Sequence, residues 1–101
     1  KKEDGEVDFN CAKKLFSKYK AYSFWPGIFL KSELKLKDIE FVENSSQNIA
    51  GEILEIAKDY IVVGCNQGRL KIRTLQAPSK NSINSVEYIK GKRLTIGDIL
   101  N

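Results

Sequence analysis

The sequence predicts a small, mainly β domain, a barrel or sandwich, with one short helix ahead of the strands and a second one after them. Three observations carry this. Between residues 28 and 77, short alternating or apolar runs follow one another closely, each bounded by Gly, Asn, Asp or Ser. A helical period shows in only two places, near residues 10–20 and 82–91. The 101 residues, 42% hydrophobic and 30% charged, suit one core of modest size.

Taken in order, residues 1–8 (KKEDGEVD) are charged and aperiodic and read as a linker, with the domain proper beginning at Phe9. From there Ala12, Leu15, Phe16 and Tyr19 recur at helical spacing. Lys13, Lys14, Ser17, Lys18 and Lys20 take the other face, and Asn10 is the candidate N-cap. The helix has to end before Pro26, because the residue preceding a proline avoids helical geometry. The corner AYSFWPG follows from this: Pro26 stops the helix, Gly27 supplies an angle other residues resist, and Trp25 buries a large flat surface at the turn.

Strands come next. GIFLKSELKLKDIEFVE holds an apolar run, a turn near Lys31 to Glu33, and an alternation whose parity changes near Asp38, the mark of a bulge. NSSQN (44–48) is a polar loop. GEILEIA and YIVVGC are strands joined at Lys58-Asp59, and NQG (66–68) turns into RLKIRTLQA. In the tail, Ser82 or Asn84 caps a short helix that buries Val86, Tyr88 and Ile89 and stops at Gly91, after which LTIGDIL packs back on the barrel.

Charge is unevenly spread. The chain carries a net +4, yet residues 1–67 hold 10 Lys/Arg against 11 Asp/Glu, whereas residues 68–101 hold 7 against only Glu87 and Asp98. A polyanionic partner is the expectation. In RLKIR the cations Arg69, Lys71 and Arg73 alternate with Leu70 and Ile72, so a strand projects all three from one face. Lys35 and Lys37 do likewise on an earlier strand, and Lys80, Lys90, Lys92 and Arg93 cluster late in the chain. If the fold joins these groups, and the acidic residues stay away as they do along the sequence, they match the spacing of a phosphate backbone.

Enzyme signatures are missing. The chain has no His, no glycine-rich phosphate loop and no serine elbow. Asp38 with Glu40 and Glu52 with Glu55 read as solvated strand charges, and Cys65 reads as a core thiol. Cys11 and Cys65 lack metal-type spacing, no metal site is predicted, and the two cysteines suit a reducing compartment. No apolar run reaches the roughly 20 residues a membrane-spanning helix needs. The absence of Met suggests a piece of a longer protein.

From residue 2 to residue 100 the order of motifs resembles the C-terminal domain of methionyl-tRNA formyltransferase. The carriers are KEDGEVDF before the first helix, YKAYSFWPG at the corner, AGEIL ahead of the middle strands, GCNQGRLKIRTLQ for the strand pair, and EYIKG followed by IGD. Phe24, Ala50, Ser79 and Ile83 depart from the family's usual residues, at loops. The resemblance implies a five-stranded OB-type barrel over residues 9–101, preceded by the amphipathic linking helix and carrying a second helix late. Residues 1–8 then lead out of an N-terminal catalytic domain. There, 10-formyltetrahydrofolate donates a formyl group to initiator Met-tRNA; the catalytic residues and the cosubstrate belong to that domain, so this chain has neither a catalytic residue nor a cofactor of its own.

The implied role is to hold and orient the tRNA. Lys20 falls where the family has a basic residue before the corner, Lys80 where the loop after the LQ strand is basic, and Arg69, Lys71 and Arg73 on the strand that faces or flanks the tRNA. Phosphate contacts position a substrate without specifying it, so the choice of initiator over elongator tRNA rests mostly elsewhere. A cytoplasmic monomer acting in translation initiation is implied. The same module occurs in formyltransferases of other substrates, amino-sugar nucleotides or formyltetrahydrofolate, where it serves as a docking domain; the basic excess after residue 68 favours the tRNA enzyme.

Overall fold

Among the described residues, six antiparallel strands and two α-helices follow one another as α1 (Ala12–Tyr22), β1 (Ile28–Phe29), β2 (Lys35–Glu43), β3 (Ile53–Ile56), β4 (Ile61–Gly64), β5 (Arg69–Gln76), β6 (Ile83–Asn84) and α2 (Ser85–Gly91). The computed structural model describes residues 2–22, 24 and 27–101. The mainly β class with short helices is as the sequence predicts. Residues 2–5, expected to be linker, form a 3-10 turn, and Val7 packs against the core.

β5 is the centre of the sheet. One of its edges pairs with β2 along its whole length. The other is shared end to end: β4 takes Arg69 to Ile72, and β6 takes Thr74 and Leu75. β6 itself was not foreseen, since two residues give no readable alternation. The path of the sheet is β1-β2-β5-β4-β3.

The expected five-stranded barrel is not closed, for among the described residues no ladder joins β1 to β3. The reason lies at the two ends of the path, where other segments already occupy the backbone groups. Val7 N donates to Phe29 O at 2.8 Å on β1. On β3, Ile53 N donates to Asp98 O at 2.8 Å and Gly97 N to Ile53 O at 2.9 Å.

Near Asp38 the β2–β5 register shifts on both sides, as the parity change predicts. The extra residue turns both Leu36 and Ile39 inward, three positions apart, and β5 answers with Ile72 and Leu75. This bends the sheet around an apolar interior closed on one side by α1 and on another by α2. Ser85 is the buried polar side chain among the described residues, and its Oγ donates to Ile72 O at 2.6 Å.

Helix starts and stops differ from the local reading. Asn10 does not cap α1; its own backbone N–H goes to Asp8 Oδ1. The free N–H groups of the first turn are met from far downstream: Ala12 N donates to Gln67 O at 2.8 Å, and Lys13 N to Asn44 Oδ1 at 3.2 Å. Gly68 makes this approach possible. It has φ 89°, and a Cβ there would lie 2.5 Å from Glu43 O and 2.8 Å from the Ala12 Cβ.

Of the two candidate caps of α2, Asn84 is the one used, its side chain accepting from Val86 N at 2.9 Å. Gly91 is the last helical residue but not the one that turns the chain. Arg93 does that at φ 58°, with Leu94 N donating to Ile89 O at 2.8 Å and Arg93 N to Lys90 O at 3.1 Å, a Schellman ending. The terminal segment packs back as predicted, and Leu100 is buried.

Candidate nucleic-acid interface

The outer face of β5 carries the predicted stripe. Leu70 and Ile72 are fully buried, while Arg69, Lys71 and Arg73 alternate with them on the other side. What the sequence does not disclose is their company. Register places Glu43 opposite Arg69 and Glu40 opposite Lys71. Arg69 Nε donates to Glu43 Oε2 at 2.6 Å, and Arg73 Nη1 donates to Glu40 Oε1. Acidic residues therefore do not avoid the stripe, as the linear charge count suggests; the β2–β5 ladder brings them to it. Lys71 instead lies over the Tyr60 ring, its Nζ 4.3 Å from the centroid, with the Arg73 guanidinium 5.9 Å away.

Both acids are held below their ordinary values. Hydrogen bonds from Ser46, then Ser45, then Arg69 hold the Glu43 carboxyl down to about 2. The hydrogen bond and charge of Arg73 lower Glu40, and Glu40 in turn raises Arg73. At neutral pH both carboxylates are charged, so much of the positive field of the two arginines ends on them.

The other cations differ. Among the described residues no ion pair engages Lys20, Lys35, Lys37, Lys80, Lys90, Lys92 or Arg93. The fold brings four of these seven together as two pairs. Lys35 and Lys37 line a small cleft with Tyr19, Phe24, Gly27 and Leu36, where β2 passes the end of α1. Lys80 and Lys92 line a groove between α2 and the loop after β5. Lys20 is on the exposed face of α1 with its Nζ 5.8 Å from the Phe16 centroid, and Lys90 and Arg93 belong to the last turn and exit of α2. Gly27 takes the left-handed φ, 77°, that the corner reading needs. Trp25 and Pro26 lie outside the described residues.

Among the described residues, the Cys65 thiol is buried and the Glu40 and Glu55 carboxylates are engaged. Burial pushes the Cys65 thiol up to about 12, which leaves it a protonated core group. Glu40 is held by Arg73, and Glu55 accepts from the Tyr60 hydroxyl at 3.5 Å. Among the described residues no group of three or more His, Cys, Asp or Glu is placed to hold a metal, and no helix is long and apolar enough to cross a membrane. Tyr60 and Tyr88 went unremarked as cation partners in the sequence; only an aromatic across a ladder or one helical turn from a cation could have signalled them.

Known proteins can be set beside this geometry. The model of the family described as "Formyl transferase, C-terminal domain" matches residues 1–93. A methionyl-tRNA formyltransferase of Sulfurimonas denitrificans is 54% identical over 98% of the chain, and one of Wolinella succinogenes is 51% identical over 99%. In each case the chain spans 33% of the relative's length. Among solved structures, a variant of HypX from Aquifex aeolicus has the same fold, with a TM-score of 0.78 at 18% identity, over 97% of this chain and 18% of that one. By the extent of the family match, the chain belongs to the formyl transferase C-terminal domain family.

Proposed function

We propose that this chain is the non-catalytic, tRNA-holding domain of a methionyl-tRNA formyltransferase acting in the cytoplasm in translation initiation. The observation that carries the reading is the set of surface lysines left without a carboxylate partner, one pair on β2 and one between α2 and the loop after β5, beside a strand whose arginines are compensated. Identity of 54% and 51% to methionyl-tRNA formyltransferases over nearly the whole chain supports it. In this reading Lys20, Lys35, Lys37, Lys80, Lys90, Lys92 and Arg93 contact phosphates of initiator Met-tRNA, and Arg69, Lys71 and Arg73 flank that surface. Formyl transfer from 10-formyltetrahydrofolate takes place in an N-terminal catalytic domain of the same polypeptide, to which this domain delivers the acceptor end. The domain works as a monomer.

The test is a fluorescence titration of the chain with initiator tRNA, elongator tRNA and duplex DNA at two salt concentrations. Neutralising roughly seven phosphates weakens binding about a thousandfold or more between 50 and 200 mM salt. Similar, salt-sensitive affinity for both tRNAs is the expected result. No binding at low salt sinks the proposal in favour of a domain-docking role.

A further inference from the structure

We infer that the groove between α2 and the loop after β5 is a site for one unpaired nucleotide, its base and ribose on an apolar floor and its phosphate between Lys80 and Lys92. The inference rests on the tRNA reading for its source of nucleotides. It is argued from the groove itself.

The groove has a volume of about 350 Å³, within the range of small-ligand sites. Its floor is Ala77, Ile83 and Tyr88. Ile83 is 44% exposed, an apolar side chain left open to solvent beside two cations. Lys80 and Lys92 come from separate elements, and both have fixed backbones. Lys80 N donates to Ala77 O at 3.1 Å and Lys80 O accepts from Gln76 Nε2 at 2.8 Å, while Lys92 is the C-cap of α2 and its N–H goes to Tyr88 O. The Lys92 Nζ is 5.9 Å from the Tyr88 centroid, so the apolar ring and the cation adjoin.

Bare phosphate would use the lysines and leave the floor wet. A nucleotide uses both, because every base presents an apolar face for packing and every nucleotide a phosphate for the ammonium groups. Glu87 is the acidic group among the lining residues, and with Asn81 it supplies hydrogen-bonding partners for ribose hydroxyls or exocyclic amines. Burial raises the Tyr88 phenol, which keeps its O–H as a donor. A base-paired duplex presents no free base face to such a groove, so the occupant is an unpaired position.

The experiment is a ¹⁵N–¹H titration of the 101-residue chain with adenosine 5′-monophosphate, with inorganic phosphate and adenosine as controls and the tRNA titration alongside. Saturable shifts confined to the amides of residues 77–83 and 87–92, with the monophosphate at least about tenfold tighter than phosphate, are expected. Tyr88→Leu weakens the monophosphate about tenfold and leaves phosphate unchanged, whereas Tyr88→Phe keeps the ring and stays within about twofold. Lys80→Ala with Lys92→Ala weakens both. Equal affinity for phosphate and monophosphate, or shifts elsewhere on the surface, overturns the inference even if tRNA binds. Monophosphate binding in the groove without tRNA binding sustains it while the tRNA reading falls.

Discussion

Arg69 on β5 and Glu43 on β2 are ladder partners joined by a 2.6 Å hydrogen bond from Nε to Oε2. With Arg73 and Glu40 they form two rungs that compensate charge across the sheet. The consequence for binding is a division between arginines and lysines. Arg69→Ala and Arg73→Ala are expected to change tRNA affinity by less than about threefold. Lys35→Ala with Lys37→Ala should lower it about tenfold and flatten the log–log salt dependence by about one unit per lysine. Equal losses from the arginine and lysine variants would contradict that division.

Acid should act on the Glu43 rung. Its carboxyl ordinarily titrates near 4.5 and is held down to about 2 in the fold by Ser46, Ser45 and Arg69. The folded state therefore binds fewer protons than the unfolded one between those values, and its contribution to stability, full above 4.5, is lost as pH falls towards 2. Urea unfolding from pH 5 down to pH 2.5 should show a smaller loss in Glu43→Gln than in the parent chain.

Gly68→Ala is expected to cost about 3 kcal/mol, since any Cβ is strained at φ 89° and meets backbone at 2.5 Å. Asn44→Ala, which leaves the Lys13 N–H without its acceptor, should cost about 1 kcal/mol. Thermal melts rank the two.

Arg93 holds a left-handed conformation that glycine adopts without penalty. Arg93→Gly should raise stability by about 0.5–1 kcal/mol while weakening tRNA binding through the lost charge. A gain in melting temperature together with a drop in affinity is the outcome to look for.

Apart from the two-residue β6, the elements were legible because each has a local signature. Leu70 and Ile72 alternate with cations, Asp38 breaks a parity, and Val86 and Ile89 lie one turn apart. What stayed hidden was set by residues distant in sequence. Asn44 caps a helix 31 positions before it, which no local rule for Asn10 could reveal. The stripe looked uncompensated because Glu40 and Glu43 precede it by 33 and 26 positions, and only the β2–β5 register brings them opposite. Arg93 was passed over for Gly91 because glycine is the usual left-handed residue at a helix end. For the same reason barrel closure could not be read: which segment covers β1 and β3 is a matter of pairing.

Residues 6–7 along β1 and residues 97–100 along β3 have a bearing on how the domain may be cut. They act as sacrificial strand partners, and a protease or a trimmed gene that removes either one leaves an unpaired row of amides and carbonyls able to recruit a second molecule. Trimming at Phe9 or before Gly97 also takes Val7 or Leu100 from the apolar interior, and should give a less stable chain that self-associates through its exposed edges. The boundaries of a useful piece of this protein are thus set by its outermost backbone pairings together with the core side chains, Val7 and Leu100, that those same segments carry.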